Sequence, residues 1–265
     1  MPTKQNGLCL FLDNEGPCTL NDNAQEITVA LVQKIGLGEN QGVNFYHNLS
    51  TIDDIWGDFK RIPQDPTYSS GHTLKVILPF LKAMGATEEW LKGFARDNLR
   101  VVPNIKSVIA DLNRDFDLWQ ISTSYEYFIR AFCDAVEFNF AKARCTVVTG
   151  FDQLPVSEKE EGELLALMLQ VANMPTIEYD INTGEVEPEH QANYDFITHM
   201  IWEVVAKMPI GQLLGTVYPV GQAQKREAMV TILNDSRASM SRAMYVGDSQ
   251  TDVQCVEYLR NHGLT

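Results

Sequence analysis

LCLFLDNEGPCTLN, spanning Leu8 to Asn21, opens with five apolar residues and then breaks off into Asp13, Asn14, Glu15, Gly16 and Pro17. A short apolar run bounded by turn-forming residues predicts a buried strand, here Leu8 to Leu12. The strand therefore carries two carboxylates to its C-terminal tip. In open α/β sheets that edge is where ligands bind, because backbone amides and helix N-termini converge there. Asp13 and Glu15 are two residues apart and face one side if strand geometry persists. The Gly-Pro turn lets the following backbone curl around a ligand. Carboxylates at a strand end also serve as plain turn formers, so the choice between the two readings falls to the rest of the chain.

Two later segments repeat the pattern of an apolar run with a polar tip. Phe116 to Ile121 (FDLWQI) reads as a strand ending in Ser122, Thr123 and Ser124, and Tyr125 to Asn139 follows as a helix whose N-terminal amides point back at that edge. Ala243 to Val246 (AMYV) reads as the last strand, ending in GDSQTD at Gly247 to Asp252, with a helix over Val253 to Asn261. Cys145 to Val148 is a candidate third strand. Asp248 and Asp252 are four apart and share a face at the opening of the final helix. Asp248, at the tip beside Gly247, is the better metal ligand, and Asp252 is placed to orient it or a metal-bound water. Before the last strand, Gly221 to Leu233 forms a helix that begins near Gln224 and puts Lys225 at its start. Plainer roles exist for each: a first-turn carboxylate at Asp252 favoured by the helix dipole, a solvated lysine beside Arg226, and capping hydroxyls at Thr123 and Ser124.

Between the first two strands the texture is helical. Ala24 to Ile35 carries Ile27, Leu31 and Ile35 at helical spacing, and Gly36 and Gly38 end it. Glu39 to Ser70, of mixed polarity with Pro63 and Pro66, reads as loops and short helices. Gly71 to Met84 reads as an amphipathic helix kinked or broken at Pro79. Thr87 caps a helix running to about Asn98, and Val101 to Asn113 resumes a core-like helix. The expected organisation is a core made of residues 1–19 and 99–265, with a mostly helical cap over 20–98. Phe151 to Glu203 holds twelve Asp or Glu against the single base Lys159, a local charge of −11. It contains helices at Gly162 to Ala172 and Tyr194 to Lys207, with two short strands about Asn182, Thr183 and Gly184 between them. We expect residues 151–210 to form an insertion or flap of the core.

At 265 residues and 45% apolar the chain can bury one sizeable core and a second module. Its formal net charge of −14 argues against nucleic acid, whose recognition needs clustered Lys and Arg. Cys9, Cys18, Cys133, Cys145 and Cys255 lack the paired spacing of zinc or redox sites and read as buried hydrophobes of a reducing compartment. No apolar stretch approaches the roughly 20 residues of a membrane span or suits a signal peptide. The expectation is a cytoplasmic protein. The five histidines share no spacing and read as surface or packing residues. Trp56, Phe45, Tyr46, Phe59 and Arg61 read first as packing, with closure over a substrate as the alternative, and Gly263 to Thr265 as the start of a further strand.

Taken in order, LFLDNEGP, the hydroxyl at Ser122, Lys225 and GDSQTD resemble the four motifs of the haloacid dehalogenase superfamily of phosphohydrolases. The helical insert and the SxSxE texture place the likeness on the phosphoserine phosphatase side. EGPCTLNDNA, GHTLKVILPFLKAMGA and ISTSYEYF are in turn similar to an archaeal family labelled energy-converting hydrogenase A subunit R. The resemblance implies a doubly wound, Rossmann-like α/β core with a parallel sheet and a helical cap after the first strand. It implies a Mg²⁺-dependent phosphatase for a small phosphorylated metabolite. Asp13 would be the nucleophile, dividing one hard displacement into two through an aspartyl phosphate. Mg²⁺ held by Asp13, the main-chain carbonyl of Glu15 and Asp248, with Asp252 beside them, would screen carboxylate from phosphate. Lys225 adds a compact positive charge, and Ser122 with the Thr123 amide would hold the non-transferred oxygens. Glu15 would be general acid, then general base. Two positions depart from the usual motif: Glu15 stands in place of Asp, and Pro17 in place of Thr. The alternative from another class is a catalytically idle accessory protein of the same fold, linked to a hydrogenase complex. Phosphotransfer or dehalogenation on the same scaffold is a third reading.

Overall fold

A computed structural model describes residues 8–235 and 243–263. In chain order, β1 (Cys9–Leu12) is followed by helices α1 (Asn23–Lys34), α2 (Glu39–Asp54), α3 (Thr73–Ala83), α4 (Glu88–Asn98) and α5 (Ile105–Asp115). Then come β2 (Asp117–Tyr125), α6 (Glu126–Val136) and β3 (Ala143–Thr146). After these lie α7 (Glu158–Ala172), α8 (Gln191–His199), the short α9 (Leu213–Thr216), α10 (Gln222–Asp235), β4 (Ala243–Val246) and α11 (Val253–Asn261). No helix among the described residues is long and apolar enough to cross a membrane.

The chain divides into two compact units. The first lies within Met1–Asp22, Lys92–Val147 and Pro219–Thr265. Its four strands are all parallel, in the order β3-β2-β1-β4. Strand alternation assigns the two faces. Cys9 and Phe11 point to one side, where they join Ile121 and Ala243 in a cluster with Met229, Ile232 and Leu233 of α10 and Cys255 and Leu259 of α11. Leu12, Leu118 and Gln120 point to the other and line a small void with Ile109 of α5 and Phe132 of α6. Helices thus cover both faces, and β1 reads as an unbroken apolar run because it is buried along its whole length. The order reverses between β1, whose neighbour on one side is β2, and β4, which returns on the other. That reversal is the switch point outside whose carboxyl ends ligands bind in such sheets.

β2 runs through the hydroxyl residues instead of stopping at Ile121, with its pairing to β3 shifting between Ile121 and Tyr125. Beyond β1, the chain is held against residues 100–102 by Leu20 N to Arg100 O at 2.8 Å and Val102 N to Cys18 O at 2.9 Å. All five cysteines are buried, and none of them forms a disulfide. The strand expected to begin at Gly263 falls on residues 264–265, outside the described residues.

The second unit comprises Asn23–Leu91 and Val148–Tyr218. The acidic segment read as a flap of the core is therefore the other half of the helical unit. Asparagines of α2 hold it there: Asn44 Nδ2 donates to Ala172 O at 2.8 Å and Met174 O at 2.6 Å, and Ile177 N donates to Asn48 Oδ1 at 2.9 Å. α2 itself, 16 residues long, replaces the first part of the loops and short helices expected over residues 39–70. Its buried positions include Phe45, Leu49 and Ile52 at helical spacing, but Asn48 and Asp53 lie among them and hide the stripe. Pro79 sits inside α3 without ending it. Phe45 and Trp56 are buried in this unit, as packing predicts, and Ser157 with Glu160 forms a capping box that starts α7.

Candidate active site

Asp13, Glu15, Ser122, Thr123, Lys225, Asp248 and Asp252 all lie in the first unit, at the carboxyl ends of β1, β2 and β4 or at the start of α10. Asp13 N donates to Val246 O at 2.8 Å, so the β1–β4 ladder carries Asp13 to the switch point. The turn that follows is closed by Cys18 N and Thr19 N, both donating to Asn14 O at 2.9 Å. Gly16 has φ +85°, and a Cβ there would stand 1.9 Å from Asp248 Oδ2. The Asp248 carboxylate thus lies directly over the Gly16 backbone, a place no side chain could share. Pro17 fits the same turn.

Lys225 is fully buried on the first turns of α10. Its Nζ donates to Asp13 Oδ2 at 2.7 Å and to Asp252 Oδ1 at 2.8 Å. It is this amine, one residue before Arg226, that reaches Asp13. Asp13, Asp248 and Asp252 each present an oxygen within 4.8 Å of the others.

Asp252 is saturated by donors. Oδ1 also accepts from Tyr245 Oη at 2.6 Å, and Oδ2 accepts from Asp248 N, Ser249 N and Ser249 Oγ, each at 3.1 Å. The final turn is thereby tied to the lysine, and Asp252 is bonded to the backbone amide of Asp248, the expectation having been that it orients Asp248 or a metal-bound water. Tyr245 was not legible from the sequence, where it is only an alternate residue of a strand.

Ser122 and Ser124 are buried at the end of β2. Ser124 N donates to Ser122 Oγ at 3.2 Å, which leaves the Ser122 proton free to donate elsewhere. Ser124 Oγ donates to Glu15 Oε1 at 2.7 Å. The hydroxyls at this tip therefore have separate tasks, a division the sequence left open. The Glu15 carboxylate turns to Ser124 and is not part of the three-aspartate cluster, so only its main-chain carbonyl remains for a cation. Thr146 Oγ1 donates to Thr123 O at 2.6 Å and accepts from Val220 N at 3.0 Å, which joins the β2 tip to the segment entering α10.

The electrostatics follow from burial and charge count. Burial pushes the Asp13 carboxyl from its ordinary 3.8 up to about 6; the Lys225 charge opposes this and Asp252 adds to it. Burial also works to raise Asp252, but Lys225 and the donors around it hold that carboxyl below its ordinary value. For Lys225, burial disfavours the ammonium, yet the two carboxylates hold its pKa above the usual lysine value. With all four groups ionised, three carboxylates against one ammonium leave two negative charges uncompensated. A divalent cation that prefers hard oxygen ligands fits this donor set in both charge and chemistry.

The fold is similar to that of a solved protein. The chain is similar to gene product AF1437 from Archaeoglobus fulgidus. The TM-score is 0.76 at 25% sequence identity, over 97% of this chain and 71% of that one. The likeness to AF1437 spans both units, so the helical segments belong to the shared architecture along with the sheet. No protein-family model matches the chain, and no curated protein matches it.

Proposed function

We propose that the chain is a Mg²⁺-dependent phosphatase that hydrolyses a small phosphorylated metabolite in the cytoplasm through an aspartyl phosphate on Asp13. The observation that carries the reading is the meeting of Asp13, Lys225, Asp248 and Asp252 around one point at the switch of the sheet. A buried charged network of this kind is a costly way to hold a fold together, since apolar side chains of similar volume do so as well or better. Chemistry gives it a reason to persist, and the idle accessory reading does not.

In this reading Asp13 Oδ attacks phosphorus while the ester oxygen leaves on the opposite side. Lys225, already 2.7 Å from Asp13, neutralises charge shared between carboxylate and phosphoryl group. The free Ser122 proton and the Thr123 amide hold non-transferred oxygens. Glu15 protonates the departing oxygen and then takes a proton from the water that opens the aspartyl phosphate. Mg²⁺, when held by Asp13, Asp248 and the Glu15 carbonyl, supplies the positive charge that lets a carboxylate approach a phosphate dianion.

The test is hydrolysis of p-nitrophenyl phosphate with and without Mg²⁺, for the wild type and Asp13→Asn. The expected result is turnover that requires both the metal and Asp13. Equal rates in all four conditions overturn the proposal.

A further inference from the structure

Glu15 is one methylene longer than the aspartate that its motif usually carries, and the extra length has a destination. Its Oε1 lies 2.7 Å from Ser124 Oγ, on the buried tip of the adjacent strand. An aspartate at position 15 would fall short by about one carbon–carbon bond, roughly 1.5 Å. Ser124 is itself fixed, since its backbone amide donates to Ser122 Oγ at 3.2 Å. The hydroxyl that holds Glu15 is therefore anchored to the hydroxyl assigned to the phosphoryl group, and the two carboxyl and phosphate subsites share one rigid strand end. We infer that Ser124 is a positioning residue that aims the Glu15 carboxyl at the leaving oxygen, and that the site is built for alkyl phosphate monoesters. This inference rests on the phosphatase reading.

The chemistry follows from the single bond. With the Ser124 proton directed at Oε1, a proton carried by the carboxyl resides on Oε2. As the Asp13 oxygen–phosphorus bond forms and the phosphorus–ester oxygen bond breaks, the electron pair stays on the ester oxygen and the Oε2 proton moves to it, releasing an alcohol. Glu15, now a carboxylate, next accepts a proton from water as that water attacks phosphorus, and Asp13 is released with inorganic phosphate. An alkoxide cannot depart without that proton, whereas a nitrophenolate, stabilised by its ring, can. A misaimed Glu15 therefore slows the first step, phosphoryl transfer to Asp13, for the alkyl ester and little for the aryl ester, while the second step, opening of the aspartyl phosphate, is common to both.

The experiment compares glycerol 2-phosphate with p-nitrophenyl phosphate for wild type, Ser124→Ala, Ser124→Thr, Glu15→Gln and the Ser124→Ala/Glu15→Gln double variant. For Ser124→Ala, kcat/KM on the alkyl ester, which reports the steps through departure of the alcohol, should fall by roughly 10²-fold, the scale of an ångström-level misplacement, while kcat/KM on the aryl ester changes less than about threefold. Ser124→Thr should restore the alkyl rate, and Ser124→Ala should add nothing in the Glu15→Gln background. The rise in Tm on adding Mg²⁺ should be the same in Ser124→Ala as in the wild type, which separates this role from damage to the cation site. An active wild type in which Ser124→Ala lowers kcat/KM equally for both esters, or lowers the alkyl kcat/KM of the Glu15→Gln enzyme further, overturns this inference alone. A wild type that hydrolyses neither ester overturns the phosphatase reading and this inference with it.

Discussion

Replacing Lys225 by Met removes the charge at the centre of the site while keeping an unbranched stem of similar length. The amine is fully buried and donates to two carboxylates, at 2.7 Å to Asp13 and 2.8 Å to Asp252. Without it those carboxylates face each other in the interior, and removing one partner of a buried ion pair costs about 3–5 kcal/mol. Part of this is relieved by protonation, since Asp13 stands at about 6 even with the lysine beside it. Losing the amine drives it higher, so the folded variant binds more protons than its unfolded chain and regains stability as pH falls. Removing the second charge should relieve the strain too. The Lys225→Met/Asp13→Asn double variant should lose less than the sum of the single losses, by about 1–3 kcal/mol. Urea unfolding followed by circular dichroism at neutral and mildly acidic pH measures both effects. Additive losses that do not change with pH would refute the buried three-way pairing.

Mg²⁺ at a hundredfold excess over its Kd should stabilise the wild type by about 2.7 kcal/mol, read as a rise in Tm, and Asp248→Asn should lose most of that rise. Gly16→Ala places a Cβ 1.9 Å from Asp248 Oδ2 on a backbone of φ +85°, so it should abolish the Mg²⁺-dependent rise and activity together; an unchanged Mg²⁺ titration would show that Asp248 does not lie over this turn. In the helical unit, burial holds the Asp53 carboxyl at about 6 against an ordinary 3.8, despite hydrogen bonds from Tyr68 and Gly71. The folded chain then binds more protons than the unfolded one between these values, so Asp53 lowers stability as pH rises from about 4 to 6. Asp53→Asn should flatten that part of the urea-midpoint profile, and a profile unaltered by the substitution would contradict the raised value.

The strand tips were readable because their signal is local: an apolar run that stops at Asp13, at Ser122 or at Gly247 needs no partner to be recognised. The gathering of Asp13, Lys225, Asp248 and Asp252 followed from motif order. What escaped was decided by side chains acting across long sequence distances. Asn44 and Asn48 look like ordinary polar residues until their amides and carbonyls are seen gripping residues 171–177. Alternation gives Tyr245 a face but not the aspartate it binds. Ser122 and Ser124 were interchangeable as hydroxyls, and only the Glu15 contact separates them.

Because β1 is flanked by strands that come far later in the sequence, the earliest-made part of the sheet waits longest for its neighbours. The contact between Lys225 and Asp13 closes a separation of 212 residues, and long-range closures of this kind are slow steps in folding. On the ribosome, Asp13 emerges long before the amine that neutralises it and the strand that shelters it. The carboxylate–lysine cluster should therefore assemble late in a newly made molecule, completed by the docking of β4 and α10 onto a sheet whose middle already exists.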